Sequence, residues 1–139
     1  MSTSPTPAPL PPVDSLSGPA LAEAVHVALH PEHQVTSSLG QLWYSVNGRD
    51  YFTVPDYPND IAAAWQVVEW LHEEHHCVRI EANRHARIDL VSAWRMDTHP
   101  LGWWGNWRSG VPATEPHRIA EAICRVAVAA LRAQNGGAL

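Results

Sequence analysis

The densest group of potential metal ligands in the chain is the stretch WLHEEHHC, residues 70–77. His72 and His76 are four residues apart, which places both side chains on one face of a helix, and Glu73 stands between them in a His-Glu-x-x-His pattern. Two imidazoles at this spacing can share a zinc ion. The predicted helix ends directly afterwards, so we interpret these residues as a solvated helix end whose histidines complement the helix dipole. A zinc-dependent hydrolase is the alternative.

A second group with binding chemistry is the aromatic stretch GWWGNWRSG, residues 102–110. In a strand, Trp103 and Trp107 point to one side and Trp104 to the other, next to Arg108. Exposed tryptophan beside arginine can stack on bases or hold a peptide partner. We expect one side to fill the core and the other to expose tryptophan, because a small domain cannot bury seven of them. These four residues are the predicted contact surface.

Length and composition predict one globular domain. The chain has 139 residues, of which 45% are hydrophobic, enough for a single core. The N-terminal region alternates proline with small residues, so we expect a disordered, polyproline-like tail. The expected divisions are the tail at residues 1–16, an α+β domain at residues 17–134 and a flexible C-terminus at residues 135–139.

Net charge, apolar run length and cysteine content argue against several classes of function. The net charge of −5 and the lack of a basic run disfavour binding to nucleic-acid phosphates. No apolar run reaches the roughly 18 residues of a bilayer-spanning helix, so we expect a cytoplasmic protein without membrane contact. Cys77 and Cys124 form neither a disulfide framework nor a Cys-x-x-Cys site. No cofactor is expected.

Three amphipathic helices are predicted from apolar residues at three- and four-residue spacing. In the second helix the expected buried residues are Ile61, Ala64, Trp65, Val68 and Leu71. In the third helix Glu121 and Arg125 form a favourable pair four residues apart. The predicted helices and their caps are Pro19–His30 with Ser17, residues 60–75 with Asn59 or Asp60, and Glu115–Ala133 with Thr114.

A first β-hairpin is predicted in residues 41–54. Asn47-Gly48 separates two runs of aromatic and β-branched residues, which is typical of a two-residue turn. Gly48 supplies the positive φ that such a turn needs. This turn sets the register so that Tyr44 faces Tyr51.

A second hairpin and a further strand follow the second helix. Residues 77–95 pair around a loop at residues 83–85, so that Ile80 faces Ile88 and charged residues face opposite charges on the other side. A fifth strand is expected at residues 102–109. The predicted order is α-β-β-α-β-β-(β)-α with a mainly antiparallel sheet, which is an α+β architecture.

Two segments resemble the phage ABA sandwich domain family of small phage and prophage proteins. VPDYPNDIAAAWQVVEWL, residues 54–71, is similar to the family's proline-aromatic loop and the helix that follows it. AEAICRVAVAAL, residues 120–131, is similar to the closing helix, and ALAEAV, residues 20–25, to the opening helix. The resemblance implies an α/β/α layered sandwich and a mobile-element setting, without catalytic residues that transfer to this chain.

The sequence therefore predicts a non-enzymatic accessory protein of phage-like origin that binds a protein partner through Trp103, Trp104, Trp107 and Arg108. A nucleotide or small-ligand module using tryptophan and arginine is an alternative. A second alternative is a zinc-dependent hydrolase centred on His72, Glu73 and His76. Homo-oligomers are compatible with the apolar helix faces.

Overall fold

The protein folds into three α-helices and two three-stranded sheets within the residues that the structure describes. A computed structural model describes residues 11–74, 76–83, 88–96, 103–112 and 115–133. Short 3-10 helices lie at Val13–Ser15 and Pro116–Arg118. The main elements are α1 (Gly18–Leu29), β1 (Gln34–Ser38), β2 (Gln41–Ser45), β3 (Phe52–Thr53), α2 (Ile61–Glu73), β4 (His76–Asn83), β5 (Ile88–Met96), β6 (Trp103–Pro112) and α3 (Ile119–Arg132).

The α+β class is the predicted one, although the strands form two separate sheets. Both sheets are antiparallel, with strand orders β1-β2-β3 and β4-β5-β6, so each strand neighbours the next strand along the chain. Helices and strands follow the predicted order with one addition, strand β1. The domain is therefore α+β. None of the described helices is both long enough and apolar enough to cross a bilayer.

Helix α3 lies at the centre of the domain and is buried on most sides. It packs against α1, α2, β5 and β6. Its sequence, IAEAICRVAVAALR, is rich in alanine and valine, and these small side chains let neighbouring backbones approach closely. Ile123 and Leu131 are among the largest fully buried side chains. The predicted ion pair between Glu121 and Arg125 is formed.

The two faces of the sheet β4-β5-β6 differ because side chains alternate along each strand. One face packs against α2 and α3, and its Val91, Ala93 and Val111 are buried in the core. Among the described residues, no helix packs on the opposite face. This helix-free face consists of Cys77, Arg79, Glu81, Leu90, Ser92, Trp94, Arg108 and Gly110.

The first sheet contains a hairpin that the sequence analysis did not predict. Strands β1 and β2 are joined by Leu39-Gly40, with Ser38 paired to Gln41. Both residues have positive φ, 55° and 73°, as a type I′ turn requires. Asparagine or glycine usually fills the first of these positions, so the leucine at this position gave no sequence signal for a turn.

The hairpin predicted at Asn47-Gly48 forms with a different register. Tyr44 pairs with Phe52 rather than with Tyr51, so the predicted register is wrong. The side-chain oxygen of Asn47 accepts hydrogen bonds at 2.8 and 2.9 Å from the backbone N–H groups of the two residues after Gly48. These bonds hold a loop wider than a two-residue turn. A slip of one residue turns every side chain of β3 to the other face.

The second predicted hairpin forms β4 and β5, also with a different register. Ile80 pairs with Val91 rather than with Ile88, a shift of three residues. Because three is odd, Val91 rather than Leu90 faces the helices. Ile88 and Val91 are both apolar, so cross-strand pairing with Ile80 could not distinguish the two registers. Packing of the sheet against α3 selects the observed one.

Helix α2 begins as predicted, and Ala64, Val68 and Leu71 are buried as expected. Asp60 caps it, since its Oδ1 accepts a hydrogen bond from the N–H of Ala62 at 3.0 Å. Ile61 and Trp65, which were predicted to be buried, are 57% and 50% exposed. The helix packs on α3 and β4 through a face that is rotated towards Ala63 and Val67. The buried residues are Ala63, Ala64, Val67, Val68 and Leu71.

The ends of α1 and α3 lie close to their predicted limits. Ser17 occupies the N-cap position of α1 but makes no capping hydrogen bond through its side chain, contrary to the prediction. Helix α3 begins at Ile119 rather than at Glu115, because the chain first makes a 3-10 turn. The predicted Thr114 cap lies outside the described residues.

The predicted tail at residues 1–16 lies largely outside the described residues. Its last part packs on the domain, where Leu16 is buried. Arg125 donates two hydrogen bonds to the carbonyl oxygen of Leu16, at 3.3 and 3.1 Å. The folded unit therefore includes the 3-10 helix at Val13–Ser15. The expected flexible C-terminus at residues 135–139 lies outside the described residues.

Replacing Ile123 by alanine should destabilise the fold by about 2–5 kcal/mol, because it leaves a cavity around α3. Ile61→Ala is the matched control on an exposed helical position, with an expected change within about 0.5 kcal/mol. Denaturant unfolding of both variants measures the difference. Equal losses of stability would contradict the central burial of α3.

Replacing Leu39 by asparagine should stabilise the β1–β2 hairpin by about 1 kcal/mol, because asparagine tolerates a left-handed backbone that leucine does not. Leu39→Ala keeps the unfavourable φ and removes the exposed side chain, so it should gain little. Thermal unfolding compares the two. A larger gain in stability for Leu39→Ala would show that exposure of the leucine side chain, rather than its positive φ, destabilises the hairpin.

Candidate functional site

The predicted zinc ligands lie on different elements. His72 and Glu73 are exposed in the last turn of α2, whereas His76 is 2% exposed at the start of β4. The His76 ring lies beside Trp107, with ring centroids 5.9 Å apart. The helix ends at Glu73, so the shared helix face on which the zinc hypothesis rests is not formed. These three residues are not brought together as a ligand set within 4.8 Å.

The predicted tryptophan surface divides between the two faces of β6. Trp107 pairs with Ala93 and packs partly buried against the core, on the side of the helices. Arg108 is exposed on the helix-free face. Trp103 and Trp104 belong to β6 by their backbone pairing with β5. Their side chains are not among the parts of the chain that the structure describes. Core filling by one side of the strand, as expected, is confirmed for Trp107.

The helix-free face combines apolar and charged groups. Leu90 and Trp94 are half-buried near the middle of the sheet. Trp94 lies at an irregularity in the pairing of β5 with β6, and such bulges often redirect a side chain. Arg79 is exposed and forms an ion pair with Glu81 at 2.9 Å. Ser92 lies between Leu90 and Trp94 and is 6% exposed. The central strand of the face is therefore mostly apolar around this serine, and the charged residues lie on the two edge strands.

A second cluster, which the sequence analysis did not predict, lies where α1 ends. Residues 30–33, His-Pro-Glu-His, form a turn closed by a hydrogen bond of 3.0 Å from the N–H of His33 to the carbonyl of His30. Proline is favoured at the second position of such turns. The His30 and His33 rings stack with centroids 4.5 Å apart and planes at 10°. We call His26, His30, Glu32 and His33 the histidine cluster.

His26 is the buried member of the histidine cluster, only 2% exposed. Its Nε2 lies 2.9 Å from Nδ1 of His33, and its Nδ1 lies 3.3 Å from the hydroxyl of Tyr57. Both ring nitrogens are therefore in hydrogen-bonding contact. The ring also lies 4.4 Å from the ring of Tyr44 in β2, which links α1 to the first sheet.

The imidazoles of His30 and His33 converge on the carboxylate of Glu32. Glu32 Oε1 lies 3.7 Å from Nδ1 of His30 and 3.5 Å from Nε2 of His33. Within the described part of the chain, His30, Glu32 and His33 are the group of three whose ligand atoms all lie within 4.8 Å of one another. The His33 ring stacks on Tyr44 with planes at 5°, so its orientation is fixed from that side.

Burial changes the acid–base behaviour of the cluster. Burial, and then the neighbouring His30 and His33, lower the pKa of His26 from 6.5 to about 4. Burial and His33 also lower the pKa of His30, against an opposing effect of Glu32. Burial raises the pKa of Tyr57 to about 12, so its hydroxyl keeps its proton. At neutral pH His26 is therefore an uncharged ring with one N–H and one lone pair.

Burial makes the Cys124 thiol an unsuitable nucleophile. The residue is fully buried in α3. Burial raises the pKa of Cys124 to about 12, which suppresses the reactive thiolate. The Cys124 side chain contributes to packing of the hydrophobic core.

One signal in the sequence could have indicated the histidine cluster. His26 and His30 have the same four-residue spacing as His72 and His76, and a Pro-Glu-His turn follows them. The contact of Tyr44 with these rings could not be predicted, because β2 is brought to α1 by tertiary packing.

The chain has no match among the protein-family models, the curated proteins or the solved structures.

The free energy of unfolding should fall as the pH is lowered from 6.5 to 4. In this window unfolded His26 binds a proton and folded His26 does not, so acid favours the unfolded state. Its full contribution is roughly 3 kcal/mol. Denaturant unfolding at several pH values, with a chelator present, should show a shallower dependence for His26→Gln than for the wild type.

The control for this prediction is direct observation of the ring. NMR titration of the imidazole should show His26 unprotonated until the pH approaches 4. Parallel stability curves for the two proteins, or protonation of His26 near pH 6.5, would contradict the prediction.

Proposed function

We propose that this chain is a non-enzymatic accessory protein that binds a protein partner through the helix-free face of the sheet β4-β5-β6. The supporting observation is the composition of that face, with Trp94 and Leu90 at its centre and Arg79 and Arg108 beside them. Tryptophan and arginine are the residues most enriched where protein contacts carry energy. An apolar centre within a charged margin is also the usual anatomy of an interface.

The charges on this face favour a partner of particular chemistry. The chain as a whole carries a net charge of −5, yet two arginines lie on this face. One arginine is paired with Glu81, so the face is mixed rather than strongly basic. We infer a partner surface with an apolar centre and carboxylates around it, in contrast to a phosphate backbone, which requires a larger positive field.

The proposed setting is cytoplasmic and phage-like. The support for this origin is the resemblance of residues 54–71 and 120–131 to the phage ABA sandwich domain. In the structure these residues form the Asp60-capped helix α2 and the buried helix α3. Both segments build the core, so the resemblance concerns the scaffold, and the binding face lies on other elements.

Trp94→Ala should abolish partner capture while the melting temperature stays close to that of the wild type. The expected reason is that the indole lies on the helix-free face rather than in the core cluster. Arg108→Glu should also weaken capture through charge reversal. Affinity capture from host lysate with the tagged protein as bait, followed by binding measurements with the purified partner, tests both variants.

Trp65→Ala is the matched control, because Trp65 is 50% exposed on α2, and α2 packs on the face of the sheet opposite the proposed interface. It should leave capture unchanged. A photo-crosslinking residue at Arg79 should label the partner, and one at Gln66 should not. Loss of capture on changing Trp65, with retention on changing Trp94, would place the interface on α2 and overturn the proposal.

A further inference from the structure

The turn at the end of α1 has the ligand chemistry of a divalent transition-metal site. We propose that His30, Glu32 and His33 bind one zinc-class divalent cation, with His26 and Tyr57 supporting the site from behind. Imidazole nitrogen together with carboxylate oxygen suits this class of metal. The proposal is independent of the helix-free face and its partner.

The spacing of the ligand atoms fits a single ion. Zinc bonds to nitrogen and oxygen are about 2.0–2.1 Å long, so two ligands of a tetrahedral ion stand about 3.3–3.4 Å apart. Glu32 Oε1 is 3.7 Å from His30 Nδ1 and 3.5 Å from His33 Nε2. The stacked His30 ring must turn to aim its lone pair at the ion, and its side chain is 37% exposed, which leaves it room to rotate.

The buried side of the cluster supplies the hydrogen bonds that metal-bound histidines require. A histidine that binds a metal through one nitrogen usually donates a hydrogen bond from the other. His33 Nδ1 lies 2.9 Å from Nε2 of His26, so a metal on Nε2 of His33 leaves Nδ1–H donating to His26. His26 Nδ1–H then donates to the hydroxyl of Tyr57, at 3.3 Å. The ring nitrogens of His33 and His26 are all satisfied in this arrangement.

The surroundings of the turn also favour a cation. His30 occupies the C-cap position of α1, where the partial negative charge of the helix end stabilises positive charge. Glu32 contributes a full negative charge and is 63% exposed, so an ion can enter from solvent. Three protein ligands leave a fourth coordination position for water.

An ion at this turn would connect two parts of the fold. His30 ends α1, and His33 directly precedes β1. His33 also stacks on Tyr44 of β2, with ring centroids 5.0 Å apart. Fixing His33 therefore fixes the first sheet against α1, which predicts a stabilising ion whose effect is concentrated in β1 and β2.

Calorimetric titration of untagged, chelator-treated protein with Zn²⁺ tests the site. The expected result is one ion per chain and a higher melting temperature. Glu32→Gln keeps the shape and removes the charge, and it should weaken binding by more than the roughly 10–100-fold typical of losing an outer hydrogen-bond partner. Co²⁺ should give the visible absorption of a tetrahedral site in the wild type and not in Glu32→Gln.

His72→Gln is the matched control, since it removes an exposed histidine from the other candidate cluster. It should leave Zn²⁺ affinity unchanged. If the wild type binds no ion, or if His72→Gln abolishes binding while Glu32→Gln preserves it, the proposal is overturned.

Hydrogen exchange distinguishes a built site from an adventitious surface ion. Zn²⁺ should slow amide exchange in β1 and β2 more than in β4 to β6, and Glu32→Gln should remove this protection. Binding that protects no part of β1 or β2 would mean an adventitious ion only and would overturn the proposal. Glu32 is mostly exposed, so its substitution tests the site without unfolding the domain.

Discussion

Burial of helix α3 is the constraint on which the rest of the structure depends. The helix packs against α1, α2, β5 and β6 at once, so each of these elements must turn an apolar surface towards it. Its alanines admit neighbours on several sides, while Ile123 and Leu131 fill the remaining space. The helix-free face follows from the same arrangement, because α2 and α3 cover one side of the sheet and leave the other to charged and half-buried residues.

The first sheet packs on the core through Val35 and Leu42 and is also attached by polar contacts. Buried His26 touches Tyr44 of β2 and bonds to His33 and Tyr57, so polar and aromatic groups join this sheet to α1. A buried polar group is stable only when its partners have the correct geometry, which makes this connection directional where apolar packing is not. The lowered pKa of His26 is the electrostatic consequence of that burial.

The two proposed sites therefore arise from separate physical causes. The interaction face lies on the sheet that α3 stabilises, and Trp94 and Arg108 lie on that face because side chains alternate along each strand. The histidine cluster lies on the turn that ends α1, and its ligands converge because a hydrogen-bonded Pro-Glu turn brings His30 next to His33. Neither site uses His72, Glu73 or His76, whose sequence matches a zinc-binding motif. The motif needs both histidines on one helix face, and the helix ends before His76.

The sequence by itself determined the fold class, the three helices, the Asp60 cap and the existence of both predicted hairpins, because these depend on local spacing and capping chemistry. It did not determine strand register. Ile88 and Val91 suit Ile80 equally well, and only packing on α3 selects Val91. It identified Ala64, Val68 and Leu71 as buried but also placed Ile61 and Trp65 in the core, because the exact rotation of α2 depends on its neighbours. Tertiary structure alone brought Tyr44 to the histidines of α1, since residues far apart in sequence meet only when the chain buries its apolar surface.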